Sequence, residues 1–272
     1  MSMTIMNIAR WLDFVYYGLL LQVITYFTML IVFIAIASGA VNPLQFLSIS
    51  AYVEYGIAGV IIISNLLIIV AKYFCMVGSH DVPGAATNAS RSLFLQVVSF
   101  FVGMIAAGFD SWISPMILKS EFLPPIVMIR AMASLKTILG WSQTVLIVFS
   151  VLSFVLFLRD VSNYIGYQEG SQKASALRTK VINLLTISVV IVVLSLLMLM
   201  ALVYPELLGF LGLFGLPVLC LTVGVAILGL FAFFSYARLI LNVAAKVRSF
   251  SLLEASAAAP DEPGPKATIA KL

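Results

Sequence analysis

Long apolar runs alternate with short polar breaks along the whole chain, and six of these runs are long enough to be read as membrane spans. They are Val15 to Ala37, Ile57 to Val70, Leu93 to Phe109, Ile138 to Leu158, Val181 to Tyr204 and a run within Leu207 to Phe234. Polar or charged residues stop most of them: Lys72, Asp110, the Arg159–Asp160 pair, Pro205–Glu206 and Arg238. A helix needs about 20 mainly apolar residues to cross a hydrocarbon layer roughly 30 Å thick. Backbone N–H and C=O groups find no water there, so each run is predicted to be helical. The alternating ten-residue pattern of a membrane β-barrel is absent from the sequence. The expected fold is therefore all-α: an integral membrane bundle of about six helices. Residues 1–257 form a single polytopic domain in this reading. The Ala- and Pro-rich stretch 258–272 is expected to be a disordered cytoplasmic tail, because it lacks apolar mass to pack.

Charge orients the bundle. Of the 15 basic residues, only Lys119, Arg130 and Lys136 fall on the side opposite the termini. The positive-inside bias then puts both termini in the cytoplasm. Trp11, Tyr16, Tyr17, Tyr52, Tyr55, Tyr73, Trp112, Trp141, Tyr204 and Tyr236 lie near span ends, as an interfacial aromatic belt would. Ala35-Ile36-Ala37 resembles a signal-cleavage site, but the apolar run before it is too long for a usual signal peptide. A retained first span is the favoured reading.

Composition then narrows the chemistry. Hydrophobic residues make up 62% of the chain and charged residues 10%, and mean hydropathy is +1.15. The net charge of +4 flanks spans and forms no basic stripe, so nucleic acid is not an expected partner. One histidine and two cysteines are too few for a haem or metal site built from this chain alone. No cofactor is expected. Cys75 and Cys220 read as buried hydrophobes. No G-x-S-x-G elbow or phosphate-binding loop exists. Asp13, Glu54, Asp110, Arg159 and Glu206 all fall at span ends, which disfavours an ion-driven pump. Asp110, between Gly108 and Trp112, is a candidate carboxylate that reads first as a boundary marker.

Uncharged polar side chains recur inside the spans, chiefly Gln22, Gln96, Gln143 and Asn183. Two readings stand: they bridge helices, or they line a path for a polar solute. Gly103 with Ala107, Gly56 with Gly59, and the glycines around Pro217 suggest close helix packing, with a kink at Pro217. In and just after the segment Ser111 to Thr137, Met128, Met132, Leu135 and Leu139 share one helical face and Arg130, Ser134 and Thr137 the opposite one. That pattern favours an interfacial helix before the fourth span, the alternative being an overlong fourth helix. The fourth helix is expected to run past Arg159 and to stop at Gly166. Tyr167 to Lys180 reads as a polar, basic connector.

Two stretches carry a family resemblance. One is Ala71-Lys-Tyr-Phe-Cys-Met with the following polar loop, which contains Pro83 and Arg91-Ser-Leu. The other is Phe154-Val-Leu-Phe-Leu-Arg-Asp-Val-Ser-Asn-Tyr-Ile-Gly. Together they resemble a family of uncharacterised multi-span membrane proteins of planctomycete-like bacteria. The family's junction is richer in arginine, whereas here Asp160 follows Arg159. The resemblance implies a bacterial inner membrane and brings neither an activity nor functional residues.

By elimination, the expected role is a non-catalytic structural or accessory component of a membrane complex. Its partners would be the lipid bilayer and other membrane subunits or further copies of itself. The alternative is a small-solute transporter or channel lined by the four amide residues. An enzyme at the inner surface would need His80, Asp81 and Arg91 to converge.

Overall fold

The computed structural model describes residues 2–38, 43–108, 125–203 and 208–258. Asp110 and the stretch 259–272 lie outside the described residues. Six helices account for nearly everything described: α1 (Ser2–Ala37), α2 (Pro43–Gly78), α3 (Ala85–Gly108), α4 (Pro125–Tyr164), α5 (Gln168–Val203) and α6 (Leu208–Ala258). Each contains a stretch long and apolar enough to cross a membrane, so the chain is a multi-pass membrane protein. Sequence neighbours pack on one another, and α6 returns to pack on α1, closing a ring; α4 also touches α6 across it.

The helices are longer than the apolar runs alone imply. The 51 residues of α6 extend about 75 Å at the α-helical rise, against a hydrocarbon layer of about 30 Å. The sixth helix does not end near Arg238 but continues to Ala258. It runs through Pro217 without losing its helical assignment. The segment expected to be an interfacial helix is the start of α4, which runs unbroken over 40 residues from Pro125. Pro125 at its first position needs no N–H, so it can open the helix. The basic stretch after Tyr167 is also helical, as the first turns of α5. Lys173 sits one turn beyond Glu169 there and pairs with it at 2.5 Å, so its polar residues support a helix.

Arg248 of α6 pairs with Asp13 of α1, which places the start of α1 and the end of α6 at one end of the bundle, here termed the base. The tight packing is at the base. Ile8 and Leu12 of α1, Ala71 and Cys75 of α2, Ala89 of α3, Phe157 and Leu158 of α4, Ala174 of α5, and Ile240 and Val243 of α6 form its core. Further along, large apolar side chains point outward: Ile31, Phe101, Ile105, Val189 and Phe231 are all exposed. A soluble protein would bury such a surface; in lipid it meets a solvent as apolar as itself.

Two glycines shape the base. Gly166, at φ +72°, follows α4 as its stop. Tyr167 N–H donates to the Ser162 carbonyl at 2.8 Å and Gly166 N–H to that of Asn163 at 3.1 Å, the double bond of a Schellman cap. Gly84, at φ +77°, precedes α3, and its carbonyl accepts from Asn88 N–H at 3.1 Å. Left-handed backbone suits glycine because it has no Cβ.

Candidate functional site

The most unusual environment in the bundle surrounds Lys72. The sequence places it at the inner limit of the second span, where a lysine would reach out to the headgroups. It points inward instead and is 1% exposed. Its Nζ donates to Ser150 Oγ of α4 at 2.8 Å and to Gln96 Oε1 of α3 at 3.1 Å. The ammonium also lies 5.3 Å from the centre of the Phe154 ring, within cation–π range. Tyr236 of α6 closes that side, edge-on to Phe154 at 6.4 Å.

Serines draw α3 and α4 together around this point. Ser150 Oγ donates to the Ser92 carbonyl at 2.8 Å, and Ser92 Oγ donates to the Ser150 carbonyl at 2.8 Å. Each hydroxyl thus reaches the other helix's backbone, which requires small side chains at both positions. A serine hydroxyl has one proton and two lone pairs, so Ser150 can donate to Ser92 while accepting from Lys72. Gln96 extends the network by donating from Nε2 to Asn65 Oδ1 of α2 at 3.2 Å. Asn65 in turn donates to the Ile61 carbonyl at 2.9 Å.

Electrostatically the node is one-sided. No carboxylate lies within ion-pair distance of Lys72 among the described residues. Lysines are almost never fully buried without such a partner. Here two neutral acceptors and an aromatic face supply the compensation, and hydrogen bonds strengthen where the local dielectric is low.

The sequence singles out one member of this cluster, Gln96. From hydropathy, Lys72 itself reads only as a boundary residue. Its signal was present: Tyr73, Phe74, Cys75, Met76 and Val77 follow it. A lysine marking the end of a span is usually followed by polar residues, whereas this one lies within an apolar stretch.

The other three amide residues do not join the node. Gln143 of α4 lies against Gly103 of α3, where a Cβ would collide with its side-chain amide, and its carbonyl accepts from Ser99 Oγ at 3.5 Å. Gln22 is half-buried on α1 and Asn183 is exposed on α5. The close packing expected at Gly56, Gly59, Gly224 and Gly229 is not found, since nothing lies within 4 Å of a Cβ built at any of them. Tyr236 departs from the interfacial belt and is 3% exposed inside the bundle. Cys75 is buried, whereas Cys220 is exposed on α6 rather than buried as expected.

A second polar contact ties the first turn of α3, just after the α2–α3 loop, to α4. Asp160 Oδ1 accepts from Arg159 Nη2 at 2.8 Å, and Oδ2 accepts from Asn88 Nδ2 at 2.7 Å. His80 and Asp81 are at the surface, 3.7 Å apart, with the histidine side chain 90% exposed. His80 and Arg91 share an open groove between α2 and α3. No cluster of three metal-ligating side chains occurs among the described residues. No protein-family profile, curated protein or solved structure matches the chain.

Proposed function

We propose that this chain is a non-catalytic structural or accessory component of a membrane complex, anchored in a bacterial inner membrane with both termini in the cytoplasm. The observation that carries the reading is the commitment of the Lys72 node. Lys72, Asn65, Gln96, Ser92 and Ser150 all spend their polar groups on one another or on the backbone, joining three helices. Such a node fixes the register of α2, α3 and α4. The outward apolar faces of α3 and α5 beyond it remain for lipid or for neighbouring subunits. Extraction in a mild detergent, with cross-linking before lysis, tests the proposal. A stoichiometric membrane partner cross-linked through those faces is expected. A clean monomer with no cross-linked neighbour defeats it.

A transporter is the second reading, and the lack of an acidic partner for Lys72 among the described residues favours it. Ionisable groups inside membrane bundles commonly mark ion or proton paths. Liposomes containing the protein and a pH-sensitive dye, challenged with a proton gradient, distinguish the two. Flux that Lys72→Met abolishes supports transport; no flux above empty liposomes removes it.

A further inference from the structure

A groove between α1 and α6 lies on the outer wall of the ring, lined by Tyr16, Phe231, Phe234, Ser235, Arg238 and Leu241. We propose that it holds one anionic phospholipid of the leaflet nearest the base, with its phosphate on Arg238 and an acyl chain along Phe234 and Phe231.

Depth supports this arrangement. Phe234 and Phe231 are one and two turns from Arg238 along α6, away from the base, so they lie about 6 and 10 Å deeper in the apolar part of the bundle. Both rings are exposed, Phe231 at 65% and Phe234 at 54%. The order along the groove, cation and then aromatic rings, matches the order of phosphate and chain in a lipid. Tyr16, partly buried at the edge of the core, supplies an amphipathic wall.

Charge selects the headgroup. Arg238 is exposed and makes no ion pair among the described residues. Lys173, a basic residue in the first turns of α5, is already paired with Glu169. The guanidinium, with no carboxylate paired to it among the described residues, therefore lines the groove as its one charged group. A phosphate with no ammonium attached answers the charge of Arg238, whereas a choline headgroup would bring a second cation to it. Guanidinium also binds phosphate through paired N–H donors.

Native mass spectrometry of the delipidated full chain in neutral detergent tests the site. Phosphatidylglycerol and phosphatidylcholine of equal chain length would be offered at equal concentration. About fivefold more phosphatidylglycerol than phosphatidylcholine is expected to remain bound, the size of effect one basic residue near the surface provides. Arg238→Gln should bring the two lipids to parity and Arg238→Lys should retain a preference. Arg178→Gln, which removes another exposed basic residue, should leave the preference unchanged. Phe234→Ala should weaken both lipids together. Equal binding by the unaltered chain overturns the proposal. So does loss of preference in Arg178→Gln as large as in Arg238→Gln, because attraction would then be general to the basic surface. Protection of the chain from thermal unfolding by inorganic phosphate to the same extent as by phosphatidylglycerol would also overturn it, since no acyl chain would then be needed.

Discussion

Lys72 of α2 donates a 2.8 Å hydrogen bond to Ser150 of α4 across the bundle, although 78 positions separate the two residues. The contact places a buried amine among neutral acceptors. An apolar side chain of similar volume loses these hydrogen bonds but also the cost of burying the amine, whereas truncation adds a cavity to the same losses. Lys72→Met should therefore stay within about 1 kcal/mol of the parent chain, and Lys72→Ala should lose about 2–4 kcal/mol. Thermal unfolding in a fixed detergent measures both. Similar large losses in the two variants would show that the charge itself stabilises the bundle.

The same bond predicts coupling. Ser150→Ala removes the acceptor for Lys72 and the donor to the Ser92 carbonyl, and should cost about 1–3 kcal/mol. In a Lys72→Met background the first of these losses has already occurred. A double-mutant cycle should thus give an interaction energy of at least about 0.5 kcal/mol. Strict additivity would mean that the two side chains do not act on one another in the membrane.

The architecture was legible in the sequence because lipid leaves the backbone few choices. Runs such as Ile138 to Leu158 must seal their hydrogen bonds internally, and length and composition then suffice to identify helices. Helix ends were less legible. Past the bilayer, α6 from Leu239 to Ala258 is held by Leu239, Ile240, Val243 and Val247 packing into the base, a tertiary effect that a span-length argument does not contain. The start of α5 reads as a connector because its residues are polar, yet Glu169 and Lys173 stand at helical pair spacing and hold it as helix. Gln96 could be named from its residue type. Its partner Lys72 could not be named by hydropathy alone, since a lysine at a span limit and a lysine turned into a bundle differ only in which face of the helix they occupy.

Close approach of α1 and α2 rests on a glycine. A Cβ at Gly18 would come within 2.6 Å of Ile68 Cγ1 and 3.2 Å of the Ser64 carbonyl oxygen. Ile68 is 2% exposed and the carbonyl is backbone, so neither yields easily. Gly18→Val should cost about 1–3 kcal/mol, the usual penalty of overpacking. Gly59→Ala, on α2 where a Cβ meets nothing within 4 Å, should be neutral or slightly stabilising. Unfolding midpoints of the two variants check the contrast, and equal behaviour would deny that α1 and α2 meet at Gly18.

Asp160 holds the start of α3, and with it the α2–α3 loop, against α4, with a different partner on each of its two oxygens. Arg159 occupies Oδ1, while Asn88 donates to Oδ2. A Cβ at Gly84 would sit 3.2 Å from that same Oδ2. Removing the carboxylate leaves Asn88 without its acceptor and should release the loop while the membrane part of the bundle stays intact. Asp160→Ala is expected to speed amide hydrogen exchange in residues 79–88 about tenfold, which corresponds to loss of about 1.4 kcal/mol of local protection. Exchange in the apolar stretch of α5 should not change, because the side-chain bonds of Asp160 run to Arg159 and Asn88. Gly84→Ala should produce a loop effect of similar size by a different route, since alanine is strained at φ +77°. If Asp160→Ala loosened α5 as much as the loop, the carboxylate would be supporting the whole base and the local latch described here would be wrong.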